Sequence, residues 1–304
     1  MKSFFKNFKL PKYIINETPL ILLGTFSVKV AKFFIFLYAA KLLGPELWGE
    51  WNILMLVLMY ISHYHLGFIN AYNREAPIYI DNPKIFNSIK KNINTLVLSL
   101  LFTSSIILFF AQWFNNNFSI STIFLFNIYF FSSSLVQLIE TFYKVKIRFD
   151  IVAYYQIAKS FLLLISSYFL ITEYEINGLL LSLIISEILI ILLNFKLFKG
   201  IFFKPKFAFI KKYLNIGFPI MLVGFTFMLI HTIDRLVIIH FFGNSELGIY
   251  SLGALVFQIL IVFPQMISMQ FYPRMIRQYH NDGVPIKKIY NQQLLILSLI
   301  TLPI

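Results

Sequence analysis

The sequence predicts an all-α integral membrane protein, and three observations carry that prediction. The first is composition: 59% of the 304 residues are apolar and only 13% are charged, against roughly 45–50% and about 25% in a soluble domain. With 36 Phe, 17 Tyr and a mean hydropathy of +0.76, too few polar side chains remain to cover a globule in water. The second is length: the chain divides into eight apolar segments and part of a ninth, each near the ~20 residues a helix needs to cross about 30 Å of hydrocarbon. The third is charge, because Lys and Arg fall almost entirely in alternate turns.

The segments follow in order. A basic cytoplasmic tail over 1–16 carries Lys2, Lys6, Lys9 and Lys12. The first span, Glu17 to Lys41, is too long for a signal peptide and lacks a small-residue cleavage site, so it is expected to stay in the membrane. Spans follow over Gly49–Tyr72, Ile93–Phe114, Ile120–Tyr143, Ile151–Ile171 and Ile176–Phe198, completing a six-helix unit over 17–198. A basic linker over 199–212 leads to Tyr213–His240, Leu247–Phe271 and a run starting at Tyr290, which together form the start of a second unit over 213–304.

Twenty-one of the 26 basic residues lie in the tail and in the turns after even-numbered spans, while the opposite turns hold only Lys41. By the positive-inside bias the N-terminus and the basic turns are cytoplasmic. The net charge of +13 therefore reads as topology and contact with anionic lipid, not as nucleic-acid binding. Every connection is short, which leaves no room for a soluble catalytic domain. The absence of cysteine excludes disulfides, thiolate metal sites and thiol nucleophiles. Five scattered His residues predict no metal site, and the lack of a P-loop disfavours ATP-driven transport by this chain alone. No cofactor is expected.

Four basic residues remain inside the membrane: Lys29, Lys32, Lys159 and Arg235. A charge near the bilayer centre costs at least about 2.5–3.5 kcal/mol, so each should face a wet cavity or find a partner. Lys29 and Lys32 stand at i and i+3 and share a helix face. They predict a cationic cavity that holds an anion such as a phosphate. Lys159 reads equally as a third cavity cation or as the partner of Glu187 or Glu140. His231, Asp234 and Arg235 share a face of a continuous seventh helix near its outer end, as a gate or ion-coupling cluster, with Glu187 a further coupling carboxylate. His63 and His65 point to different faces and read as interface histidines. Ser132, Ser133 and Ser134 read as close-packing residues, and Pro19, Gly24, Pro219, Gly224 and Pro264 as kinks or close approaches.

The chain also repeats itself. Pro19 and Gly24 recur as Pro219 and Gly224, and the turn LGPELWGEW (Leu43 to Trp51) matches FGNSELGIY (Phe242 to Tyr250), aligning Gly44 with Gly243 and Gly49 with Gly248. Both copies begin from the cytoplasm, so the repeat is parallel.

The stretches IGFPIMLVG…HTIDRLVIIHFFGNSELGIYSLG, KLLGPELWGEWNILM and LGF…NREAP resemble the polysaccharide-transporter branch of the multidrug/oligosaccharidyl-lipid/polysaccharide (MOP) superfamily, the O-antigen and capsule-repeat flippases. The resemblance covers nearly the whole chain. It implies two pseudo-symmetric six-helix lobes around a central cavity in the bacterial inner membrane. The implied task is moving an undecaprenyl-pyrophosphate-linked glycan outward, with a glycan polymerase and a chain-length regulator as partners beside the membrane lipids. Lys29, Lys32 and Lys159 are nominated for the cavity from depth and charge. The family carries about twelve to fourteen helices, so the second lobe is expected to be only begun here, as a fragment or as one chain of an assembly. Two other readings compete: a drug or small-solute exporter, whose cavity would need acidic groups, and a membrane-embedded polymerase or ligase, which would need a long external loop.

Overall fold

The computed structural model describes residues 12–115, 118–198 and 205–280, with 290, 291 and 294. Lys2, Lys6, Lys9, Lys199, Lys204, Lys287, Lys288 and most of the expected ninth span lie outside the described residues. Those residues form helices α1 (Lys12–Ile61), α2 (Phe68–Glu75), α3 (Pro83–Asn115), α4 (Ile120–Val145), α5 (Phe149–Leu193), α6 (Phe207–Ile230), α7 (Ile233–Phe242) and α8 (Asn244–His280), with no strand among them. Helices α4, α5 and α6 and the run Pro83–Gln112 of α3 are each long and apolar enough to cross a bilayer. The architecture is an all-helical bundle in which the helices before and after residues 199–212 pack against each other.

Two of these helices are hairpins. Helix α1 breaks at Gly44, whose φ of 74° and ψ of 174° lie where only glycine is at ease. Phe36 before the break packs on Trp51 after it, ring centroids 5.9 Å apart. Helix α5 breaks at Glu175 (φ 51°), and its arms run back along each other, with Ser166 Oγ donating to Ser182 O at 3.5 Å. The turn between α7 and α8 repeats the first device: Gly243 has φ 87° and ψ −173°, nearly the conformation of Gly44.

The matched turns meet. A Cβ on Gly49 would lie 1.9 Å from the carbonyl oxygen of Asn244, and one on Gly248 would lie 2.2 Å from that of Pro45. Pro45 and Asn244 each follow the hinge glycine of their own copy, so the contact is reciprocal about a pseudo-two-fold axis. Farther along, the backbones of Gly67 and Gly217 touch in the same intimate way, and Tyr60 and Thr232 hydroxyls bond at 2.8 Å. Arg277 reaches Asp81 at 2.8 Å. The main apolar core includes Leu54, Ile93, Leu101, Phe126, Leu163 and Leu183 and continues into Tyr213 and Leu255, with a smaller cluster at Val136, Ile139 and Ile190. Phe102, Ile107, Phe161, Phe169 and Leu192 are exposed, as lipid-facing side chains must be.

Two expected spans differ from the structure. The segment Gly49–Tyr72 is not one helix: Ser62–His65 tightens to a 3-10 turn, Leu66 and Gly67 take φ of 48° and 90°, and α2 restarts at Phe68. His65 Nδ1 accepts the Gly67 N–H at 3.1 Å and secures that break. The segment Tyr213–His240 likewise breaks at His231 and Thr232, so His231 caps α6 while Asp234 and Arg235 lie in the first turn of α7. Both places carry a polar run in the sequence, Ser62–His65 in the first and His231, Thr232, Asp234 and Arg235 in the second, and the expected spans run across them.

The reciprocal contact makes a measurable claim. Gly49→Ala and Gly248→Ala should each destabilise the purified protein by about 1–3 kcal/mol, since backbone must move to admit the methyl group. Gly224→Ala, where nothing lies within 4 Å of the added Cβ, should leave thermal unfolding unchanged or slightly raised. Equal melting of all three variants would remove the packing argument.

Candidate functional site

Lys29 and Lys32 project from one face of the first arm of α1 into a cavity of about 220 Å³. Arg235 enters the same cavity from α7. The walls are Phe33, Phe36, Trp48, Trp51, Asn52 and Met55 of α1, with Tyr129 of α4 and Leu255 of α8. The cavity thus lies between the lobes, and its three cations come from both.

Among the described residues, no Asp or Glu lines it. Among the described residues, no carboxylate lies within 4.0 Å of Lys29, Lys32 or Arg235. Two wall donors, Arg235 Nε and Trp48 Nε1, are buried without a hydrogen-bond partner. Buried donors are normally satisfied, so a cluster left open asks for an acceptor. Three basic side chains lining one small volume can do one thing well, which is to hold an oxyanion with several acceptor oxygens.

The neighbouring acids are engaged elsewhere. Asp234 Oδ1 accepts the Arg235 backbone N–H at 2.8 Å and its Oδ2 accepts the Tyr250 hydroxyl, so Asp234 ties α7 to α8 and does not pair the guanidinium. Glu187 is 1% exposed, accepts from Lys159 Nζ at 2.7 Å and from the Ser132 hydroxyl at 2.6 Å. Lys159 is therefore placed in an intralobe ion pair and does not line the cavity of Lys29 and Lys32. Glu140 takes Lys144 at 2.8 Å. Glu187, Glu140 and Lys159 reach Lys32 only through space. His231 lies exposed at the break between α6 and α7, off the face expected for it with Asp234 and Arg235. No group of three or more metal-ligating side chains occurs among the described residues.

Sequence reasoning missed Arg235 as a companion of the two lysines, and missed Trp48, Asn52 and Tyr129 altogether. The repeat held the signal for Arg235. The offset of 199 that aligns Gly44 with Gly243 places Arg235 on position 36, one helical turn beyond Lys32 on the same face.

With this geometry in view, comparison with known proteins is decisive for the family. A family described as polysaccharide biosynthesis protein matches residues 40–304. The chain belongs to that family. It is a MOP-superfamily member, and its fold is that of the MATE transporters: it aligns with a mutant of the Vibrio cholerae MATE transporter VcmN at a TM-score of 0.72 and 12% identity, over 95% of this chain and 72% of that one. The MATE multidrug transporter DinF-BH aligns at 0.64 and 16% identity, over 94% and 69%. An uncharacterized membrane protein of Haemophilus influenzae is 29% identical over 130 residues, 41% of this chain. That match spans 32% of the Haemophilus protein, about a third of its length.

The intralobe pair predicts non-additive mutants. Removing one partner of a buried ion pair leaves an uncompensated charge and costs about 3–5 kcal/mol, whereas an apolar replacement of both costs far less. Glu187→Leu alone should therefore destabilise the family member more than Lys159→Met combined with Glu187→Leu. Additive losses in thermal unfolding would show the two groups to be independent.

Proposed function

We propose that this chain serves a flippase that moves undecaprenyl-pyrophosphate-linked oligosaccharide repeats across the bacterial inner membrane, for O-antigen, capsule or exopolysaccharide synthesis. One observation carries the reading: a cavity between the lobes with three cations and no carboxylate. A pyrophosphate presents several acceptor oxygens and more than one negative charge, which the Lys29 and Lys32 ammonium groups and the Arg235 guanidinium complement. At about 220 Å³ the cavity is smaller than the ~300–1,000 Å³ typical of drug-sized ligands. It suits the charged head, and the sugars enter only when the lobes part.

Alternating access then consists of exchanging two contacts, Gly49 and Gly248 with the opposite turns at the outer end and Gly67 with Gly217 toward the cytoplasm. The N-terminus is cytoplasmic in this reading, and a glycan polymerase and chain-length regulator act on the delivered repeat. Export of cationic drugs is disfavoured by the same observation, because three positive charges repel a cation in a low-dielectric cavity.

The test is sidedness of the lipid-linked glycan in cells lacking the gene, read with a periplasmic glycan-specific probe. Resupply of the wild-type gene should move glycan to the outer face. Lys29→Gln, Lys32→Gln and Arg235→Gln should each lower that signal about tenfold or more, the value of a charged hydrogen bond of ~1.5–3 kcal/mol, at normal membrane level. Wild-type export by all three variants would overturn the assignment.

A further inference from the structure

A second basic pocket, of about 390 Å³, lies away from the central cavity. It is lined by Tyr79, Lys84, Ile85, Ser88 and Ile89 from the first lobe and by Phe209, Lys212 and Tyr213 from the second. Its depth in the bilayer follows from helix lengths. Helix α3 has 33 residues, about 50 Å, but its stretch free of charged residues begins only after Lys91. The residues from Pro83 to Lys91 extend the helix ~13 Å, which carries it across the headgroup layer to its aqueous edge. Lys84 and Ser88 stand on that extension, and Lys212 stands at the start of α6 opposite them.

The pocket has two kinds of wall. Lys84 and Ser88 are exposed, and Lys84 has no ion-pair partner among the described residues. Lys212 is 54% exposed and loosely engaged: its Nζ is 3.7 Å from Glu75 Oε2 and 5.4 Å from the Tyr213 ring centroid. A contact of 3.7 Å leaves the ammonium N–H groups free to donate to another oxygen. Beside these charges, Ile85 is exposed, Ile89 is buried, and Phe209 stacks on Tyr213 at 4.1 Å to form an apolar floor. Two lysines, two tyrosines and apolar side chains lining one pocket match a ligand with an anionic head and a hydrocarbon tail.

We propose that this pocket binds an anionic glycerophospholipid of the cytoplasmic leaflet. Lys84 and Lys212 hold its phosphate from opposite lobes, the Ser88 hydroxyl donates to it, and Ile85, Ile89 and Phe209 cover the start of one acyl chain. Because the two lysines belong to different lobes, the lipid favours the arrangement in which the cytoplasmic ends stay together. The site does not depend on what the central cavity carries.

The experiment is native mass spectrometry of the detergent-purified chain mixed with phosphatidylglycerol, with phosphatidylcholine, or with phosphatidylglycerol plus millimolar inorganic phosphate. The wild type should retain one phosphatidylglycerol and no phosphatidylcholine, with retention unaffected by phosphate. Lys84→Gln combined with Lys212→Gln should weaken retention about thirty-fold, some fivefold for each surface lysine, while Lys84→Arg combined with Lys212→Arg should preserve it. Retention by the Gln pair equal to wild type, or equal retention of phosphatidylcholine, would overturn the lipid site. Displacement by phosphate alone would also overturn it, in favour of a free-anion site.

Discussion

An ionised side chain in hydrocarbon must be answered by a partner or by water, and this chain answers its buried charges in two different ways. In the first lobe Lys159 is neutralised by Glu187, which also takes the Ser132 hydroxyl, so that charge becomes a strut between the two arms of α5 and α4. Between the lobes Lys29, Lys32 and Arg235 share one cavity without a carboxylate. Leaving three like charges together costs stability, and an anionic ligand offsets that cost. The arrangement makes sense as a binding site and makes poor sense as scaffolding.

The cavity depends on how the two lobes are brought together. Only glycine allows Gly49 and Gly248 to press onto the carbonyls of Asn244 and Pro45, and only glycine takes the hinge conformations of Gly44 and Gly243 without cost. These four positions set the distance between α1 and the α7–α8 hairpin. That distance fixes the separation of Arg235 from the two lysines. The same closeness recurs where Gly67 meets Gly217, so the lobes touch on either side of the cavity along the helix direction.

Much of this was legible in the residues. Composition and one-sided charge identify the membrane protein, and the glycine repeat identifies the two turns that meet in the structure. The i, i+3 spacing puts Lys29 and Lys32 on one face, where the structure has them. The break at Glu175 falls in the turn expected between Ile171 and Ile176, whereas the break at Leu66 and Gly67 falls inside an expected span, Leu66 taking a left-handed φ without being glycine. The choice between cavity and ion pair for Lys159 was equally beyond local pattern, since Glu187 is distant in sequence and becomes a neighbour only through the hairpin at Glu175. Arg235 was hidden for a related reason: its helix was read as continuous with His231, and its true companions lie some 200 residues earlier, visible only through the repeat offset.

The central claim is that the cavity between the lobes recognises an anionic head. Its most direct test is the affinity of the purified chain in nanodiscs for three polyprenyl lipids of equal length, bearing a pyrophosphate, a monophosphate or a free hydroxyl. Affinity should fall in that order, and the pyrophosphate preference should vanish when Lys29, Lys32 and Arg235 are all changed to Gln. Equal affinity for the pyrophosphate and the uncharged alcohol in the wild type would contradict it.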